Sequence, residues 1–160
     1  GTSSRIFWPM IGHRQRRMAL AILMAGAASP LLSACKDPTL ERTEARRKAL
    51  IGLWQREFDA DYPTIRQTLN LGADGQFLEI AEDEPAGAEP QREVWSGEWT
   101  YDGTNLKRRY LRKNGQLLIG ATLHYATFTL ISVSPEAFVV DDNFVKHLVS
   151  FQRLAADATR

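Results

Sequence analysis

Few residues in this chain of 160 combine the types and spacing that chemistry requires. Cys35 carries the only thiol and stands directly after Leu32-Ser33-Ala34. With no second Cys, neither an intrachain disulfide nor a thiolate zinc cluster can form. Beyond residue 34 the histidines are His124 and His147. A general base must lie within hydrogen-bond reach of the group it deprotonates, yet neither histidine adjoins a Gly-x-Ser-x-Gly or His-Glu-x-x-His pattern. His147 follows Asp141 and Asp142 by six and five positions, a conceivable metal spacing. Asp-Asp-Asn at 141–143 is also ordinary turn composition. The expectation is therefore a protein that is no enzyme and has no cofactor and no metal site.

Two further clusters carry charge. Lys107, Arg108, Arg109, Arg112 and Lys113 form the densest basic run, with Tyr110 inside it. On a strand, Arg108, Tyr110 and Arg112 would share one face, and Lys107, Arg109 and Leu111 the other. Facing inward, Arg108 and Tyr110 would receive a carboxylate, because a buried guanidinium without a partner is costly. That carboxylate would belong to an anionic ligand or to an inner acid such as Glu79 or Glu98. Facing outward, the run would be a solvated strand whose cations discourage edge pairing. Residues 82–93 hold five acids, one Arg, two Pro and a Gly, which is too long for a tight hairpin. Such a loop would present Glu82, Asp83, Glu84 and Glu89 to a cationic partner protein, cover a binding site, or simply be solvated.

The charge balance narrows the partners. Four of the 20 basic residues (Arg5, Arg14, Arg16, Arg17) and none of the 19 acidic ones lie in residues 1–34. The remainder is formally three charges negative, which argues against the broad basic face that nucleic acid requires. Residues 1–34 read as a targeting segment. His13-Arg14-Gln15-Arg16-Arg17 is followed by the apolar run Met18–Leu32, broken near its end by Pro30, then by small residues. The run falls short of the ~20 apolar residues that span a bilayer. Residues 1–9 precede the basic head, and Met10 is a candidate start. Leu32-Ser33-Ala34-Cys35 resembles the lipobox of bacterial lipoproteins. The resemblance implies diacylglycerol on the Cys35 thiol, cleavage before it and a further acyl chain on the new amino terminus. Two or more chains make a stable anchor. It also implies a periplasm-facing place at the outer membrane, since Lys36 replaces the Asp of inner-membrane retention.

The elements that position the remaining residues follow from periodicity. Asp37-Pro38 opens a helix over 38–50, with Leu40, Ala45, Ala49 and Leu50 as a thin apolar edge. Residues 35–51 would thus be lipidated Cys, tether and short helix. After Gly52 the period becomes two. Strands are expected near 53–59, 64–71, 76–82, 92–101, 105–112, 116–125, 126–133, 137–141 and 146–154. Asp74-Gly75, Asp102-Gly103 and Asn114-Gly115 between alternating runs are strong hairpin signals. Gly52-x-Trp54 is echoed by Gly97-x-Trp99, and Asp74-Gly75-Gln76-Phe77-Leu78 by Asn114-Gly115-Gln116-Leu117-Leu118. Such an echo suits a sequential meander. The fold class is all-β: an antiparallel up-and-down β-barrel of about eight to nine strands over residues 52–154, with 155–160 as a tail.

Gly52 and Trp54 on the first strand, with Arg153 on the last, resemble the calycin superfamily, and specifically the lipocalin-like domains of bacterial lipoproteins. The resemblance implies that Trp54 closes the barrel floor with Arg153 stacked across it. No second lipocalin motif of the Thr-Asp-Tyr type is present. It further implies non-covalent binding of a small apolar or amphipathic ligand. Phe77, Trp95, Trp99, Phe128 and Phe151 would then line a pocket with Arg108 and Tyr110, or fill the barrel, because eight strands enclose little more than side chains. The alternative is an interaction module of inhibitor or immunity type, meeting its partner through the acidic loop and the barrel rim.

Overall fold

The computed structural model describes residues 37–57, 63–120, 124–144 and 146–155. Cys35 and the expected signal segment lie outside them.

Helix α1 spans Pro38–Leu50. The Asp37 carboxylate accepts from the Thr39 N–H at 2.8 Å, and Pro38 occupies a position whose N–H would have no partner. Glu41 at the start and Arg47 and Lys48 at the end complement the helix dipole. The apolar edge expected of this helix does not dock it: Leu40 and Ala45 are exposed, and Leu50 alone is buried.

Nine strands follow: β1 Gly52–Arg56, β2 Ile65–Leu71, β3 Gln76–Asp83, β4 Gln91–Tyr101, β5 Asn105–Lys113, β6 Gln116–Leu117, β7 Tyr125–Val133, β8 Ala137–Asp142 and β9 Leu148–Arg153. Each long strand pairs antiparallel with its chain neighbours, and β9 returns to β1. The result is a closed eight-stranded barrel, with β6 as a short extra strand on the end of β5. Closure leaves no long unpaired edge. Two ends are thereby defined. The turns at 72–75, 102–104 and 134–136 lie at the end that α1 covers, whereas the turns at 84–90, 114–115 and 143–144 lie at the open end.

Turn chemistry sets the register. Asn114 and Gly115 both have positive φ (50° and 78°), which matches the twist of a two-residue hairpin. The strand expected over 116–125 is not continuous. Leu118 donates its N–H to the Leu111 carbonyl, and the next ladder bond runs from Tyr110 N–H to the His124 carbonyl. Among the described residues, Leu118 and His124 both bond to β5, and Ile119 and Gly120 between them are outside any strand. Gly120, at φ 146°, interrupts the alternation at this place.

The two Gly-x-Trp stretches occupy corresponding roles. Trp54 and Trp99 are both buried, and each indole N–H donates to a carbonyl: Leu50 at 2.8 Å and Gly72 at 2.9 Å. Each indole also lies under a guanidinium, Arg153 at 4.0 Å and Arg47 of α1 at 4.9 Å. A Cβ on Gly52 would collide with the Arg153 guanidinium, and one on Gly97 with the Arg109 carbonyl. The second echo is one of turns only, since Phe77 is buried while Leu117 is exposed.

Candidate functional site

The barrel interior is built in layers from the closed end. Trp54 meets Phe138 edge-on at 4.8 Å, Phe138 stacks on Phe151 at 4.5 Å, and Phe128 lies 6.2 Å from Phe151. Arg153, paired with Trp54 in register, donates to the carbonyls of Ala49, Ile51 and Pro135. It thereby ties the end of α1 and the β7–β8 turn to the base of the barrel.

Above the aromatic layer sits a polar one. The Arg108 guanidinium lies 4.4 Å from the Phe128 ring centre and forms an ion pair with Glu79 Oε2. The same oxygen accepts from the Tyr110 hydroxyl at 2.8 Å, and Glu79 Oε1 accepts from the Gln67 amide. Gln67 in turn accepts from Arg56 at 3.2 Å. Burial, with the Glu79 carboxylate beside it, pushes the Tyr110 phenol well above its usual range despite the opposing Arg108 charge. The hydroxyl therefore stays a donor. Arg108 is 3% exposed and Glu79 7%. The carboxylate that Arg108 and Tyr110 hold is thus an inner acid, Glu79. Glu98 is on the outer face, 3.6 Å from Arg109. The solvated-strand alternative fails for Arg108 and Tyr110.

Strict alternation fails one step further on. The β4–β5 register shifts at Ser96/Gly97, so that Tyr110 opposes Gly97 and Arg112 opposes Ser96. The extra residue, Leu111, turns Arg112 outward, where it is exposed, and brings Lys113 opposite Trp95. The Lys113 ammonium lies 4.4 Å from the Trp95 ring and 2.7 Å from Glu93, whose carboxyl it holds below the usual value. Trp95 meets Tyr110 edge-on at 5.6 Å.

The residues expected to line a pocket therefore separate. Phe77, Trp99, Phe128, Phe151 and Arg108 are buried in packed interior, while Trp95 and Tyr110 are half-buried toward the open end. The expected loop 82–93 is shorter in the structure, because β3 runs to Asp83 and β4 begins at Gln91. Glu82 pairs with Arg92 at 3.2 Å across those strands. Asp83 shares the inward parity of Glu79, and its Oδ1 is buried without a hydrogen-bond partner among the described residues, as is Arg108 Nε. Glu84 and Glu89 are exposed.

What sequence reasoning missed is the outer face at the open end. Leu117, Ile119, Tyr125, Phe144 and Leu148, contributed by neighbouring elements from β6 to β9, are between 56 and 92% exposed. A signal existed: Leu148 falls on the parity opposite to Val149 and Phe151, so its outward position was legible.

Among the described residues, no three His, Cys, Asp or Glu side chains are placed to hold a metal ion. Nor, among them, is any helix long and apolar enough to cross a membrane. No protein-family model matches the chain, and no curated protein matches it.

Proposed function

We propose that this protein is a lipid-anchored envelope protein whose lipocalin-like barrel serves as a rigid platform, binding a protein partner through its open end. The anchor is Cys35, two residues before the cap of α1, so that the tether enters at the closed end and the rim stands away from the leaflet. One contrast carries the reading. Through the Glu79–Arg108 layer the interior side chains are buried and bonded to one another, while five large apolar side chains stand in solvent at the rim. Large apolar side chains gathered at one end of a barrel, rather than scattered singly, mark a candidate interaction site.

Two measurements test the reading. Radiolabelled palmitate should enter the parent chain and not the Cys35→Ala variant; labelling that survives the substitution removes the anchor. Benzoylphenylalanine placed at Phe144 and irradiated in cells should yield a discrete protein adduct, whereas the same probe at Leu78 on β3 should not. Absence of any adduct at Phe144, with lipid mass co-purifying in native mass spectrometry, would return the barrel to ligand carriage.

A further inference from the structure

The exposed face has a direction. Its spine is the outer side of β7, where Tyr125, Thr127, Thr129 and Ile131 carry no charge. On the β5 side the outward residues are Lys107, Arg109 and Arg112, with Lys107 opposite Thr127 and Arg109 opposite Tyr125. On the β8 side stands Asp141, opposite Thr129 and Leu148, and Glu136 is exposed in the adjoining turn. Lys107 and Arg109 pair with Asp102 and Glu98, on the side away from the spine. Asp141 has no ion-pair partner among the described residues. Lys146 is the exposed cation on the acidic side, at the loop tip. An uncharged stripe is thus bordered by cations on one flank and by carboxylates on the other.

We infer that this face binds a second copy of the same chain side by side, about a two-fold axis parallel to the barrel axis. The inference rests on the protein-partner reading above and names the partner. In a two-fold contact the same patch serves both subunits. Rotation about an axis lying in the contact plane exchanges left and right while preserving top and bottom. The spine of one copy then meets the spine of the other, Lys107 of β5 faces the partner's Asp141 on β8, and the arrangement occurs twice. Both closed ends point the same way, so both tethers reach one leaflet. A two-fold perpendicular to the barrel axis would send the tethers to opposite sides. Confinement to one leaflet raises the effective concentration of the second copy, so that a modest apolar face suffices. The flanking pairs are solvent-accessible and should weaken with added salt.

The test uses the full acylated chain in phosphatidylethanolamine–phosphatidylglycerol vesicles. Thr127→Cys places a thiol on the spine, and Leu78→Cys places one on β3, three strands away. The parent chain reports any contribution from Cys35. Oxidation should yield a disulfide dimer from Thr127→Cys and none above the parent from Leu78→Cys. Adding either Lys107→Glu or Asp141→Arg to Thr127→Cys should cut the dimer yield at least fivefold, and adding both should restore it, because Lys107 is the β5 cation nearest the level of Asp141. Equal yields from both thiols, or failure of the double reversal to restore, overturns the inference. Should Thr127→Cys give no dimer while benzoylphenylalanine at Phe144 captures a different chain in cells, the partner reading stands and self-pairing falls. Should both give nothing, both fall together.

Discussion

The buried Glu79–Arg108 pair supplies the sharpest quantitative prediction. Arg108 Nη1 and Tyr110 Oη converge on one carboxylate oxygen of Glu79, with Gln67 on the other. Replacing Arg108 by Met leaves a carboxylate in packed interior with only neutral donors; replacing Glu79 by Leu leaves a guanidinium whose Nε already lacks a partner. Removing one member of a buried pair costs about 3–5 kcal/mol, because the survivor's charge remains desolvated. For a domain of this size that is a drop of roughly 10–20 °C in melting temperature. The double substitution Glu79→Leu with Arg108→Met removes both charges and keeps the volume, so most of the loss should return; such replacements are often neutral or stabilising by about 1–4 kcal/mol. Residual cost would come from Tyr110 and Gln67, which lose their acceptor, at about 1–3 kcal/mol for each group left unsatisfied. Equilibrium urea unfolding followed by tryptophan fluorescence yields all four corners of the cycle. Single variants within ~1 kcal/mol of the parent, or a double variant whose loss equals the sum of the singles, would refute a coupled interior pair.

Three further outcomes follow from the same packing. Trp54→Ala removes an indole that is fully buried between Phe138 and Arg153, and should cost about 3–5 kcal/mol in the same urea assay; an unchanged melting temperature would show that Trp54 does not close the base. Gly97→Ala drives a methyl group into the Arg109 carbonyl, which is backbone and cannot rotate away, so circular dichroism should show a large loss of stability or of folding, whereas Gly87→Ala, with nothing near its Cβ, should cost only the backbone strain of its positive φ, about 1–2 kcal/mol. On acidification, Asp102, held far below its ordinary 3.8 by Lys107 and by the Asn105 and Thr104 N–H groups, and Glu93, held below its ordinary 4.5 by Lys113, should each withdraw stability as they protonate. Both pKa values are lower in the folded state, so the stability they add is present above the unfolded values and is lost as pH falls below about 4–5. The effect is small because both groups are exposed, and Asp102→Asn should flatten the decline in urea midpoint below about pH 4.

How much was legible depended on the range of the interaction. The Asp37 cap, the Asn114-Gly115 hairpin and the two-residue alternation of β7 and β9 are local preferences, and each is present in the structure where the sequence places it. The closure of β9 on β1 was accessible through the meander, since strands that pair in succession leave only the first and last to meet. Alternation misled at β5, because the extra Leu111 resets the parity and exchanges Arg112 for Lys113 on the inner face. Nothing in residues 105–113 announces that bulge, which lies against Gly97, 14 positions before Leu111, where the β5 backbone comes too close for any side chain. The break after Leu118 was likewise hidden, for Gly120 inside an otherwise apolar run is compatible with either a strand or an excursion.

The sequence by itself determined the class of the fold, an antiparallel meander whose turns are dictated by Gly, Asn and Asp, together with the lipobox-like approach to Cys35. These are properties of short windows, set by φ/ψ preference and by which side of a pleat a residue occupies. Only the tertiary structure decided that Arg108 would spend its charge on Glu79, 29 positions away. Leu148 apart, only it decided, too, which apolar residues would be left in water at the rim. Those outcomes depend on how eight strands curl around one another, and a side chain's partner across a barrel is fixed by that closure and not by its neighbours in the chain.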